Sequence, residues 1–284
     1  MTSRNKINIV LVLMVVALIS VLFIDTNKPV KTAFKLSALN ETAVNSITIT
    51  RRTSDTVILK KIKDKWYMTS PYKVRANTFY IESILQITKA DSVSEFTISS
   101  NDKDKFKLNP PQASLKLNNQ LFLFGTNEQL HLNRYILTNN KLYLLPDRYF
   151  YLLNITTTGY IDHALIAKDN EIKKIKLANV SIELKKGKWR VSPELKNSST
   201  DDVIQLISEW NNSQVVEINK LTDTNDKPDF NIEVTLNNNQ AAIIFNVIMK
   251  EDYYLFNRPD LKLSYKLNQD MANRLLQIPN QKIE

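Results

Sequence analysis

The chain contains no cysteine. That excludes disulfides, thiolate metal sites, a cysteine nucleophile and a lipidated N-terminal cysteine. Glycine is nearly absent as well: Gly125, Gly159 and Gly187 stand far apart. A glycine-rich phosphate cradle needs several glycines close together, so no nucleotide-binding loop of that kind is written here. Only two histidines occur, His131 and His163, with no H-x-x-x-H spacing, and no G-x-S-x-G is present. Zinc-type chemistry needs more ligands, and a serine nucleophile needs a base and an oxyanion site. What is present is ordinary for a globular chain. Of 284 residues, 43% are apolar and 24% charged, enough for two domains.

The N-terminus is read as an anchor. Ile7 to Ile24 is INIVLVLMVVALISVLFI, uncharged, with Arg4 and Lys6 before it and Asp25 after it. As a helix the run spans roughly 27 Å, close to the roughly 30 Å hydrocarbon core. Its exit, FIDTNKPVK, lacks a small-residue cleavage step, so an uncleaved transmembrane segment is expected rather than a signal peptide. The basic residues place 1–6 in the cytoplasm, 7–24 in the membrane and the rest outside. The net charge of +9 is concentrated before Asp169 and is read as lysines keeping exposed strands soluble. Nucleic acid is not expected as a partner.

An internal repeat organises the remainder. VNSITITRRTSDTVILKKIKDKWYMTSP (Val44–Pro71) and IKKIKLANVSIELKKGKWRVSP (Ile172–Pro193) each hold alternating apolar runs, a Lys-rich turn, a Trp and a Pro. Alternation predicts half-buried strands. After each Pro the spacing predicts a helix, Ala76–Thr88 and Ser199–Trp210, with Ile81, Ile84 and Leu85 on one face, and Val203, Leu206, Ile207 and Trp210 on the other's. Ser198, Ser199 or Thr200 suits the second helix's cap, and Asp201 and Asp202 suit its N-terminal dipole. DSVSEF (91–96) then answers SQVVEI (213–218), ASLKLNN (113–119) answers IEVTLNN (232–238), and LFLFG (121–125) answers AIIFN (242–246). RYIL (134–137) answers YYLF (253–256), and Tyr143–Leu153 answers Tyr265–Leu276. The expected fold is α+β: an N-terminal transmembrane helix, a linker over 25–43, and two tandem duplicated units of antiparallel strands with one packed helix each, 44–158 and 159–284.

FKLNPP (Phe106–Pro111), a hairpin ending in FLFG, then RYI, LYLL and YIDHALI (Tyr160–Ile166) follow in an order that resembles the bacterial family catalogued as domain of unknown function 4340. The resemblance runs from about Val44 to the C-terminus, in two copies. It implies a membrane-anchored extracytoplasmic protein of the kind linked to a transporter of the gliding-motility auxiliary type. Lys107 stands where that family often has Gly, and the second copy lacks the LNPP and Gly features.

Reactive groups are thinly spread. His163 neighbours Asp162, but adjacent strand residues face opposite ways. The pairs Asp102/Asp104 and Asp226/Asp229 lie among Asn, Lys and Thr, as solvated loops do. Trp66, Trp189, Tyr143 and Tyr265 recur between copies and read as packing residues. Of Tyr149, Phe150 and Tyr151, one is expected to be exposed. No catalytic, cofactor or metal residue is assigned. The expectation is a non-catalytic accessory or scaffold subunit of a membrane complex, with protein partners such as ABC-type transporter components. It would be single-pass in the inner membrane, with its bulk in the periplasm or outside. The alternative is an envelope module binding a glycan or small molecule.

Overall fold

The computed structural model describes residues 3–24, 33–92, 94–129, 132–195, 198–222, 226–237 and 241–279. Helix α1 (Ser3–Ile24) comes first. The first unit follows with β1 (Phe34–Lys35), β2 (Ser46–Arg51), β3 (Val57–Ile62), β4 (Lys65–Ser70), β5 (Val74–Arg75) and α2 (Thr78–Leu85). It continues through β6 (Asp91–Ser92), β7 (Glu95–Thr97), β8 (Ala113–Leu117), β9 (Gln120–Asn127), β10 (Asn133–Thr138), β11 (Lys141–Pro146) and α3 (Arg148–Leu153). The second unit holds β12 (Ile172–Lys176), β13 (Ser181–Lys185), β14 (Lys188–Ser192), α4 (Thr200–Asn212) and β15 (Glu217–Lys220). It ends with β16 (Phe230–Leu236), β17 (Ile243–Met249), β18 (Tyr253–Arg258), β19 (Leu263–Asn268) and α5 (Gln269–Leu276).

This is a mostly β architecture of three sheets, which corrects the expected α+β class. The period-two runs dominate, and each unit adds only one helix after its Trp hairpin and one short closing helix. The expected transmembrane helix is corrected too. Among the described residues no helix is long and apolar enough to cross a membrane. The first turns of α1 hold Arg4 and Lys6, so its apolar stretch is shorter than the helix itself. The expected linker is partly built into the fold: Phe34–Lys35 pairs with Asp91–Ser92, and Leu36 is buried.

The two large sheets share a strand order. One runs β5-β4-β3-β2-β8-β9-β10-β11-β7 and the other β14-β13-β12-β16-β17-β18-β19-β15. In both, a strand that follows the helix, β7 in the first unit and β15 in the second, crosses to the far edge. The hairpin turns match as well. Lys63 and Asp64 have φ of 47° and 62°, and Lys186 and Gly187 have 49° and 74°, the left-handed pair that a type I′ turn requires. Register refines the sequence correspondences. Phe124 pairs Ile136 and Ile136 pairs Tyr143, while Val247 pairs Phe256 and Phe256 pairs Tyr265. Ile136 therefore answers Phe256, one residue off the expected match. Phe124 answers Val247 and Phe122 answers Phe245, two residues off. A slip of two preserves the face, so alternation alone does not reveal it.

Helix α2 buries Ile81, Ile84 and Leu85, and α4 buries Val203, Leu206, Ile207 and Trp210. Ser199 caps α4, with Asp202 closing the box onto the Ser199 backbone N–H, so this aspartate serves the helix end. Trp210 is wholly buried against Phe245 and Phe256 and donates its indole N–H to the Leu275 carbonyl at 2.9 Å. The inner faces of both sheets and both helices contribute to one hydrophobic core.

Candidate functional site

A groove recurs at the same place beside both Trp hairpins. In the first unit the body of the hairpin, the entry to β2 and helix α2 enclose about 500 Å³, walled by Val44, Lys65, Trp66, Arg75, Glu82 and Leu85. In the second, about 490 Å³ is walled by Ile172, Leu184, Trp189, Ile207, Asn211 and Asn237. Strand register makes the match positional: Trp66 pairs Lys61 and Trp189 pairs Leu184. Alternation explains why each Trp points inward, one residue after the first of its strand. Trp66 is 8% exposed, whereas Trp189 is half-buried against the core edge.

The grooves differ in charge. In the first, Lys65 and Arg75 both engage Asp169, Arg75 at 3.0 Å. The Lys65 ammonium bonded to it, with Arg75 adding, holds the Asp169 carboxyl below the usual range against some loss of solvent. Asp169 lies on the segment that leads into the second sheet, so the basic wall is occupied by the chain itself. The second groove carries Lys168, Glu171 and Lys173 beside its carboxamides and apolar groups. Asn237 is fixed there by its backbone and side-chain bonds to Glu171, at 2.8 and 3.2 Å.

The connecting segment ties the units together. Asn77 N–H donates to the Tyr160 carbonyl at 2.8 Å and Asp162 N–H to the Arg75 carbonyl at 3.0 Å, facing the first sheet. Val215 N–H donates to the His163 carbonyl at 2.9 Å, facing the second. The buried Arg51 guanidinium bonds the Ile155 carbonyl and, at 2.8 Å, the Thr157 hydroxyl. Tyr160 is completely buried, and that burial raises its hydroxyl pKa far above the ordinary value.

Against this geometry the candidate reactive groups separate. His131 lies outside the described residues. His163 Nδ1 sits 3.0 Å from the Val215 carbonyl, and Asp162 accepts from the Ala164 N–H, so the two are not paired with each other. Asp102 binds Lys105 and Ser99, which hold its carboxyl below the usual range. Asp226 binds Lys250, and Asp229 accepts from the Met249 N–H at 2.7 Å. Neither pair faces a shared cleft. Among the described residues no cluster of three metal-ligating side chains occurs. Of the aromatic run, Tyr149 is buried, Phe150 is half-buried and Tyr151 is the exposed member.

Sequence reasoning missed the Arg134 centre. Its guanidinium is 5% exposed, binds Asp147 and the Gly125 carbonyl at 2.5 Å, and stacks 3.6 Å over the Phe150 ring. The RYI and PDR segments carry it, but nothing in spacing alone brings them together. Its acceptors are all supplied from within the fold, which makes it a structural pair.

Residues 66–242 match the family described as domain of unknown function (DUF4340), and the chain belongs to that family. No curated protein and no solved structure matches the chain.

Proposed function

We propose that the chain is a non-catalytic accessory or scaffold subunit of a membrane complex, working outside the cytoplasm beside the components of an ABC-type transporter of the gliding-motility kind. The observation that carries this reading is the coupling of two like-ordered sheets through residues 155–169. That segment bonds to Arg75 in β5 of the first sheet and to Val215 in the loop that leads into β15 of the second, and both sheets feed one core. Two grooves at register-equivalent places are thereby held at a fixed spacing, which suits a body that positions partners. We read the two sheets as two copies of one ancestral unit, each keeping its Trp hairpin. Helix α1 adds an apolar surface, with Leu11, Val12, Leu13 and Met14 each more than half exposed, for the complex to cover.

The experiment is isolation of the tagged full chain from solubilised membranes, scoring transporter components by mass spectrometry. They are expected at stoichiometric recovery. Asn211→Arg with Asn237→Arg in the second groove is expected to lower that recovery while leaving the thermal midpoint unchanged. A folded chain recovered alone, or recovery indifferent to variants in both grooves, rejects the scaffold reading. A folded single polar variant that keeps its partners yet abolishes the cellular phenotype would point to catalysis instead.

A further inference from the structure

We propose that the second sheet carries a binding site for a single neutral sugar residue on the face turned away from the core. The site lies over β17, β18 and β19, with Leu221, Thr222 and Asp226 on its other side. It encloses about 240 Å³, below the roughly 300–1,000 Å³ of drug-sized pockets. Asn257 and Ser264 form its floor as a cross-strand pair. They are 6% and 7% exposed, and Asn257 Oδ1 and Ser264 Oγ are buried with no hydrogen-bond partner. A buried polar atom left unpaired costs about 1–3 kcal/mol, so two side by side in one pocket mark a place that a ligand completes.

The first sheet shows what this face looks like when it is sealed. There the equivalent pair is Leu137 and Leu142, joined by Leu108 and flanked by Phe106 and Tyr135 in a small second core. The crossover reaches the sheet because Gly125 has no side chain: a Cβ there would lie 2.2 Å from the Phe106 carbonyl oxygen. Ile248 occupies the register-equivalent position in the second sheet and is buried at 6% exposure. Its side chain lines the pocket together with Asn219, Asn257 and Ser264.

The chemistry of the lining selects the ligand. A hydroxyl donates and accepts, and an amide presents a donor or an acceptor at the same point by turning over. Paired with a serine hydroxyl, that floor matches ligand hydroxyls, which also do both. Ile248 and Leu255 add an apolar wall for carbon-bound hydrogens. Two of the three charges at the rim are engaged, Asp226 with Lys250 at 3.0 Å and Lys266 over the Tyr253 ring at 4.6 Å, and the third, Lys220, is exposed to solvent. A neutral polyol fits this arrangement better than an anion. The inference is independent of the scaffold reading, since it concerns the chain alone.

The test is titration of the purified full chain, in a detergent without a sugar headgroup, with glucose and N-acetylglucosamine, using inorganic phosphate as the anionic control. Saturable binding at roughly millimolar concentration is expected for a sugar, read by calorimetry and by the Asn257 side-chain amide signal. Asn257→Leu with Ser264→Leu, which installs the first sheet's residues, is expected to weaken it at least tenfold. Should that variant lose its β-sheet circular dichroism, Ser264→Ala alone is expected to weaken binding several-fold. No sugar response, a response undiminished in the folded variants, or a response to phosphate alone overturns the proposal. So does a sugar-soaked crystal with only water in the pocket.

Discussion

Position for position, Gly125 in the first sheet answers Ile248 in the second, and Leu137 and Leu142 answer Asn257 and Ser264. On the core side the matched residues stay apolar and large: Ile136 and Phe256, Tyr143 and Tyr265. A shared strand order therefore constrains the inner face, where helix and sheet must fill common space. It leaves the outer face to the crossover. The first crossover brings Phe106 and Leu108 and seals its sheet. The second sheet has Asn257 and Ser264 at the equivalent places, lining a pocket. Two units with one topology differ where packing demands least.

The largest test of that comparison is at the hairpins. Trp66 is nearly buried and Trp189 only half so. Trp66→Ala is expected to destabilise by about 3–5 kcal/mol, and Trp189→Ala by roughly half that, because less apolar surface leaves water there. Denaturant midpoints of the two variants decide it, and equal losses would mean the hairpins are not unequally packed. Next comes the seal. Gly125→Ala places a methyl against backbone, the 2.2 Å approach to the Phe106 oxygen, and backbone gives way poorly. A cost of about 1–3 kcal/mol is expected by urea denaturation. An unchanged midpoint would show that the first crossover is not held down as described.

The inner face was legible in the sequence and the outer face was not. Ile47 and Ile49, Ile81 and Ile84, Val203 and Leu206 announce themselves by period, and all are buried. Residue type narrows the cap of α4 to Ser198, Ser199 or Thr200, and Ser199 is the one that takes it. The balance of strand over helix was misjudged because the few helical segments carry the clearest periodicity. Strand register slipped by two at Phe122 because alternation repeats with that period. Asn257 and Ser264 were invisible, since each polar residue alternates with apolar ones as any solvent-facing residue does. Their burial depends on neighbours distant in sequence, such as Leu221 and Thr222, that line the same pocket. Arg134 was missed for the same reason: Asp147 and Phe150 reach it through the closing helix.

A smaller effect is expected at Lys107. Its φ of 52° lies in the left-handed region, which costs a side-chain-bearing residue about 1–2 kcal/mol. Glycine is free of that strain but loses more chain entropy on folding. Lys107→Gly is therefore expected to stabilise by about 0.5–1 kcal/mol, raising the thermal midpoint by a few degrees, and to do so through the first crossover alone. A lowered midpoint would show that the Lys107 side chain holds the seal in place.

The smallest expected effect lies where the two units meet. Asp169 precedes the second sheet yet is held by Lys65 and Arg75 of the first. Its pKa is lowered in the folded chain by the Lys65 bond first, with Arg75 adding. The sign follows from linkage. A carboxyl more acidic in the folded state contributes stability above its unfolded value of about 3.9, and that contribution is lost as pH falls through the lower folded value. The side chain is 40% exposed, so water and salt screen the pair, and it is worth no more than about 0.2–1 kcal/mol. Asp169→Asn is expected to be slightly less stable than the parent at pH 7, with the two converging as pH falls below the lowered folded value. Raised salt should narrow the gap at pH 7. Denaturant midpoints across about pH 2–7 make the measurement. If the gap persisted in acid, the substituted carboxamide would be disturbing the junction sterically, and the ion pair would not be what fastens the first unit to the second.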